Sequence, residues 1–498
     1  MYDFYRAEWH RVKTASPEGR SMERVVNAIA DSFWDNYYQE LAINPDYLEL
    51  LCEIATFRKN PAVALYGSNV IFKKIIEELC DSFDEFDTET YRRVMAQIID
   101  FCRKLPLAGQ FDRKLSNFGM ISAAALLERS RRLYTQRPRR FEGVHAKKVI
   151  ILSRVTIGAD IAITSIVVRK LMEVCTDAEF IIIGNAKLNE LFGANRRIKI
   201  ANLAYSKKEI LIDKLMKWID VLDIIEKESR GCKKEDIIVI DPDSRLSQLG
   251  ILPCIEDNYY WNSRRILPSN GSPSFTADTN RWINCMIEDD TILEPTVWLK
   301  PQYKTEANER VGYLRQSGAS KVIVVNFGVG GDTDKQVDVH FEQKVLSHIL
   351  SIGNVAVLLD KGVSKEEASR ADHLANQLGG RELPPIQNAL SSDPFPGPGL
   401  YTVTTSIGQI SGLIAAADGY IGYDSACQHI AAAVNTNCIT IFVTKKSVRF
   451  VNRWSCYGTN FRYTVYVDGS KKEDQEYTDE ALYRIANLVR SPKFIATT

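Results

Sequence analysis

Three short segments put reactive side chains on turns between an apolar run and a helical pattern. The first is Arg154-Val155-Thr156-Ile157-Gly158-Ala159-Asp160. A carboxylate at such a turn can take a proton from a substrate hydroxyl, the work of a general base, or it can cap the helix by accepting backbone N–H groups. The second is Gly328-Val329-Gly330-Gly331-Asp332-Thr333-Asp334-Lys335. Amides around Gly328, Gly330 and Gly331 can approach a phosphate closely, and Lys335 adds a positive charge. The pattern is not GxGxxG, because Thr333 stands at the last glycine position, and it lacks the GK[ST] of a P-loop. The third runs from Gly422 to Ala433 and sets Asp424, Ser425, Ala426 and His429 around a helix start. Small residues and a helix N-terminus suit a bound anion; a capping Ser425 above a buried His429 is the alternative. The pairs Asp332/Asp334 and Asp241/Asp243 could hold a divalent cation, but such pairs arise easily by chance, and no metal site is expected.

These turns require strands and helices in alternation. Residues 1–145 have a helical period, with Val26, Ile29, Ala30, Phe33 and Tyr37 on one face, and predict an all-α domain. Ser16-Pro17-Glu18, Asn44-Pro45 and Asn60-Pro61 mark helix starts, and arginines cluster from Arg129 to Arg140. Phe33, Trp34, Tyr37 and Tyr38 exceed what one helix stripe needs, which suggests self-association or acceptor docking through this domain, with the arginines as a polar border. From residue 146 the pattern changes to strands at 149–155, 180–184 and 237–240, separated by helical sequence; residues 253–310 read as an irregular excursion and linker. A second alternating unit, residues 311–498, begins with KVIVVNF and continues through VAVLL, YTVTT, GYIGY and CITIF. Ser364 with Glu367, Ser406 with Gln409 and Ser425 with Gln428 have capping-box spacing. The fold class is α/β: two Rossmann-like domains in tandem (146–310 and 311–498) behind an all-α domain, with ligands expected in a cleft at the carboxyl ends of the strands.

The chain has 498 residues, 45% hydrophobic and 25% charged, the balance of a globular protein rather than a disordered or fibrous one. Lys+Arg 63 against Asp+Glu 63 leaves no net field to draw it onto nucleic acid. The N-terminus lacks a signal-peptide core and no stretch is long and apolar enough to span a membrane, so a cytoplasmic protein is expected. Its ten cysteines show no CxxC or zinc-ligand spacing and are expected to be reduced.

The three segments, taken in order, resemble glycosyltransferase family 9, the ADP-heptose-type bacterial heptosyltransferases of GT-B architecture. RVTIGADIAITSIVVRKL is similar to the family's opening strand-turn-helix, IIVIDPDSRLSQ to its ID-x-x-x-x-x-S strand end, and DSACQHIAAAVNTNCITIF to its D-[ST]-G-x-x-H-x-A-A-A segment and the strand after it. The resemblance covers residues 147–490. It implies an inverting, metal-independent transfer from a nucleotide-diphospho-sugar, which could be ADP-heptose, with no resident cofactor. Asp160 would be the base. Gly328, Gly330, Gly331, Lys335, Asp424, Ser425, Ala426 and His429 would bind the donor; Arg154, Asp241 and Asp243 would lie on the acceptor side, facing a glycan, lipid-linked or protein acceptor. Ala159 and Ala426 stand where the family has glycine, which keeps open a non-catalytic binding or assembly protein on the same fold. A dinucleotide-dependent oxidoreductase, with Asp360 on a ribose, is the other alternative.

Overall fold

A computed structural model describes residues 1–14, 19–40, 42–135, 140–141, 146–206, 209–263, 274–383 and 397–495. The Ser16-Pro17-Glu18 cap, Arg137, Arg139 and residues 269–273 of the SNGSPS tract lie outside them. The N-terminal segment is helical: Tyr2–Thr14, Gly19–Glu40, Pro45–Ala55, Pro61–Val70, Glu85–Arg103, Gly109–Asn117 and Ala123–Thr135 are its main helices. Asn44 and Asn60 each accept a backbone N–H from the first turn of the helix they open, with proline in that turn. Phe33 and Tyr37 are buried, whereas Tyr38 is 69% exposed and stacks on Trp34.

The chain divides into two compact units. One comprises Met1–Val155, Asp177–Asn185 and Ala201–Asn270; the other comprises Thr156–Thr176, Ala186–Ile200 and Gly271–Thr498. In the first unit the helical segment and the strands share one apolar core. Ile54, Ile99 and Phe111 belong to the same cluster as Ile150 and Val239, and Phe111 meets Trp218 edge to face at 5.5 Å.

Two arginines of the cluster fasten this unit. Arg129, only 3% exposed, donates through Nε to Asp257 at 2.9 Å and through a guanidinium nitrogen to the Gly250 carbonyl at 2.9 Å; Arg132 pairs with Asp257 at 2.9 Å. Arg131 pairs with Glu89. Arg129 is therefore internal mortar, whereas Arg131 and Arg132 are about half exposed. Replacing Arg129 by alanine should destabilise the fold by about 3 kcal/mol, because it strands a buried carbonyl and half-buried Asp257. The midpoint of urea unfolding measures this, and an unchanged midpoint would contradict the role.

The first sheet has the order β3-β2-β1-β4-β5, from β1 Lys148–Leu152, β2 Glu179–Gly184, β3 Ile198–Asn202, β4 Ile237–Asp241 and β5 Tyr260–Asn262. β1 pairs in parallel with β2 and β4. The second sheet has seven strands in the order β12-β11-β10-β6-β7-β9-β8. They are β6 Lys321–Asn326, β7 Val355–Asp360, β8 Arg381–Glu382, β9 Gly399–Val403, β10 Gly419–Tyr423, β11 Asn437–Thr444 and β12 Arg462–Asp468, and every pairing is parallel. β6 and β7 are wholly buried runs of Val, Ile, Leu and Ala apart from their ends, as strands covered on both faces must be. Two Rossmann-like parallel sheets in tandem behind a helical segment are the GT-B components. The described residues of the stretch 253–310, expected as an irregular excursion and linker, hold β5, the helix Phe275–Ile287 and the start of the helix Pro301–Gln316. No helix among the described residues is long and apolar enough to cross a membrane.

Candidate active site

Strand order locates the site in the second sheet. From β6 the chain winds one way through β7, and from β10 the other way through β11, so β6 and β10 flank the switch point where open parallel sheets bind ligands beyond their carboxyl ends. Lys335, on the loop after β6, donates to Asp424 Oδ2 at 2.7 Å just past β10. Asp424 Oδ1 accepts from Gln428 Nε2, and Gln428 Oε1 accepts from Thr440 Oγ1 at 3.1 Å. Asp424 is largely buried while the Lys335 side chain is 34% exposed, so a carboxylate anchored from below holds an ammonium at the solvent edge. Ser425 stands at the N-cap of the helix Ala426–Ala433 but makes no side-chain capping bond. The expected capping box with Gln428 is absent because Gln428 is drawn to Asp424 and Thr440.

The Lys335 loop is braced from beneath. Gln336 Nε2 donates to the Phe327 carbonyl at 2.8 Å, and the Val337 amide donates to the Tyr423 hydroxyl at 3.1 Å. Arg370 donates to both Glu342 oxygens, at 2.6 and 2.9 Å, and to the Val337 carbonyl. Burial pushes the Glu342 carboxyl up to about 7 even beside Arg370. Sequence reasoning missed this brace. Its signal was a carboxylate at i on a stripe whose i+3, i+4 and i+7 positions are Val345, Leu346 and Ile349.

The glycine loop has a carboxylate of its own chain on its amides. Val329 and Gly330 donate to Glu367 Oε1 at 2.9 and 3.1 Å, and Gly328 donates to Asn326 Oδ1 at 3.1 Å. Gly330 and Gly331 have φ of 64° and 84°, a conformation that favours glycine. Two amides of the loop are thus taken up by Glu367, a carboxylate of the chain itself. Asp360 is 7% exposed and accepts from Asn326, Thr405 and the Gly362 amide, so its oxygens hold the loops together rather than presenting themselves to a ribose.

Asp160 does not stand at a helix N-cap. Thr156 precedes the short helix Ile157–Ala159, and Asp160 opens a π-helical turn, Asp160–Thr164, before the helix Ser165–Val174. Such turns recur at functional sites. Asp160 is 1% exposed and its Oδ1 accepts from Thr164 Oγ1 at 2.8 Å. The widened turn is pinned from outside, with Thr276 Oγ1 donating to the Ala162 carbonyl at 2.9 Å. A Cβ on Gly158 would stand 2.9 Å from His429 Cδ2 and 3.3 Å from Ala426 Cα. Glycine at 158 is therefore what lets the turn carrying Asp160 touch the first turn of the helix carrying His429. Trp454 packs on Ala159, Ala162 and Ile163, with its ring 4.6 Å from Phe275 and 6.5 Å from His429.

Burial pushes the His429 imidazole down to about 4, against the weaker opposite pull of Asp424, so it is neutral near pH 7. An unfolded chain takes up this proton near pH 6.5, the folded chain only near 4. Stability is then complete above about pH 6.5 and declines as pH falls to about 4, by about 3 kcal/mol from this group. His429→Gln should flatten that part of the profile. Urea midpoints of both proteins at pH 7 and 4.5 test it, and equal losses in the two would contradict it.

The residues expected on the acceptor side, Arg154, Asp241 and Asp243, lie in the other unit, at the β1/β4 switch point. Arg154 bonds the carbonyls of Pro242 and Asp243, at 3.0 and 2.6 Å, and pairs with the Asp243 carboxylate at 3.1 Å. Asp241 is fully buried and accepts from the Ser244 amide, Ser247 and Tyr260, so it organises the turn.

Residues 402–482, which include Asp424, Gln428, His429, Thr440 and Trp454, match the glycosyltransferase family 9 (heptosyltransferase) family model. No curated protein sequence matches the chain. Among solved structures, a glycosyl transferase family 9 protein from Veillonella parvula is similar at 11% identity, with 70% of this chain and 97% of that one covered and a TM-score of 0.49. E. coli ADP-heptose lps heptosyltransferase II is similar at 14% identity, covering 69% of this chain and 100% of that one, with a TM-score of 0.44. For E. coli heptosyltransferase WaaC with ADP the figures are 11%, 69%, 99% and 0.45. The match to the family 9 model falls on the strands and helix that carry Asp424, Gln428 and His429, the carboxylate side of the Lys335–Asp424 pair.

Proposed function

We propose that the chain moves a sugar from a nucleotide-diphospho-sugar to a hydroxyl acceptor with inversion and without a metal ion, and that ADP-heptose is the first donor to try. The observation that carries this reading is the contact of the Asp160 turn with the helix start at Ala426 and His429, through Gly158. It sets a base candidate beside a donor-site candidate within one compact unit. Asp160 would accept the acceptor's proton as its oxygen attacks the anomeric carbon, and the diphosphate would leave opposite. Negative charge then grows on the leaving phosphate. The Lys335 ammonium and the N-terminus of the helix Ala426–Ala433 are fixed in advance to meet it, the arrangement in which electrostatic stabilisation is largest. Neutral His429 would contact the donor sugar without adding charge. The reading includes a cytoplasmic enzyme with a glycan, lipid-linked or protein acceptor, and self-association through the helical segment, where Tyr38 and Phe86 are exposed.

Incubation with ADP-heptose and a panel of glycan acceptors, followed by NMR of the product, tests the chemistry. The expected product has the anomeric configuration opposite to the donor's. Retention of configuration, or release of ADP at the buffer rate with every acceptor, would overturn it.

A further inference from the structure

The indole of Trp454 stands beside the turn that carries Asp160, and the mechanism above does not use it. Trp454 ends the helix Val448–Trp454 and is half-buried. Ser447 opens that helix by accepting from the Phe450 amide at 3.4 Å, and the Ser455 hydroxyl closes it on the Val451 carbonyl at 2.8 Å. The indole packs on Ala159, Ala162 and Ile163, which flank Asp160 along the chain. Its neighbours fix its position. Phe275 lies against it at 4.6 Å, the Arg453 guanidinium covers the Phe275 ring at 4.4 Å, and Arg453 pairs at 2.8 Å with Asp278, one turn along the helix that Phe275 opens. Gln428 donates to the Trp454 carbonyl at 3.4 Å from the helix that carries His429. Other indole N–H groups are taken up within the fold: Trp9 donates to Glu53, Trp34 to the Lys74 carbonyl and Trp218 to the Pro253 carbonyl. That of Trp454 has no hydrogen-bond partner among the described residues and is not buried. A fixed aromatic ring with an open donor therefore adjoins the turn of the carboxylate read as the base.

We propose that Trp454 is a carbohydrate-binding platform: the pyranose ring of the acceptor lies on the indole, and one of its hydroxyls accepts from the indole N–H. A pyranose presents C–H bonds on its face, with slight positive charge on their hydrogens, and the face of the indole is negative, so the two attract while water leaves both. An apolar aromatic surface with a few placed polar groups is the usual composition of a small-ligand site. The indole is also 6.5 Å from the His429 ring, so a sugar seated on it adjoins both the base candidate and the helix of the donor-site candidate. Assigning that sugar to the acceptor rests on the reading of Asp160 as the base; the sugar site itself does not.

The full chain is labelled with fluorotryptophan, and the fluorine resonance missing from Trp454→Phe is that of Trp454. The labelled protein is titrated with methyl α-glucoside, methyl α-mannoside and methyl α-galactoside at millimolar concentrations, with glycerol as the control. The expected result is a Trp454 resonance that shifts to saturation with at least one glycoside and stays in place with glycerol. No saturable shift with any glycoside, or an equal shift with glycerol, would overturn the inference. Saturation-transfer NMR should show that glycoside bound about fivefold more weakly by Trp454→Phe, which keeps an aromatic ring against Phe275 and loses the N–H, the scale of one hydrogen bond. Equal binding would remove the N–H from the site and contradict the proposal. Calorimetry should give Trp454→Phe the unaltered affinity for ADP and for ADP-heptose; weaker ADP-heptose binding would place the donor sugar on the indole and overturn the acceptor assignment. If the unaltered chain binds no ADP-heptose while the glycoside shift is saturable, the failure falls on the donor reading and the sugar platform stands.

Discussion

Asp160→Asn lowers the rate of sugar transfer by on the order of a hundredfold or more, the scale of a lost general base, and leaves donor affinity within a few-fold. The asparagine side-chain oxygen can still accept from Thr164, which Asp160 Oδ1 does at 2.8 Å, so the π-turn and its contact with the His429 helix are kept. What is lost is the capacity to take a proton. Initial rates at saturating donor, with a parallel calorimetric titration of the donor, separate the two quantities. A rate within a few-fold of the unaltered enzyme would make Asp160 a structural residue of the turn. A rate loss matched by an equal loss of donor affinity would place it in binding.

Lys335→Ala should weaken binding of a nucleoside diphosphate by about ten- to a hundredfold, since a hydrogen bond from a charged donor contributes roughly 1.5–3 kcal/mol. The fold should hardly notice. The Lys335 side chain is 34% exposed, and partly exposed ion pairs contribute no more than about 1 kcal/mol. Asp424 also keeps Gln428 as a partner. Lys344→Ala is the control, because Lys344 is as exposed as Lys335 and pairs with Asp479 away from the β6/β10 switch point. Calorimetry with ADP should show a loss for the first variant and none for the second; equal affinities would remove Lys335 from the donor site.

Much of this was legible in the chain, and the reasons differ from element to element. Apolar runs such as KVIVVNF and GYIGY announce buried parallel strands, and asparagine before proline announces helix starts, because both are local physics. β12 escaped although Val465 and Val467 alternate with more exposed residues, a period-2 signal beside a fully buried neighbour. The pairing of Lys335 with Asp424 was not legible, since strand order, not sequence distance, sets β6 beside β10. Nor was the capture of two glycine-loop amides by Glu367. The capping-box spacing Ser364/Glu367 is real, and the same carboxylate that closes it also receives the loop amides, one residue with two local functions. The Ser425 box failed for the opposite reason: Asp424 and Thr440 outbid Ser425 for Gln428. The π-turn at Asp160 has no sequence period to announce it, and only glycine at 158 hinted that another helix comes close.

Native mass spectrometry of the full chain, titrated side by side with ADP-heptose, other nucleotide-diphospho-sugars and NAD, tests the central claim most directly. The account predicts a one-to-one complex with a nucleotide-diphospho-sugar, kept in Asp160→Asn and depleted in Lys335→Ala, and none with NAD. A complex with NAD alone, or a sugar-nucleotide complex as strong in Lys335→Ala as in the unaltered chain, would contradict it.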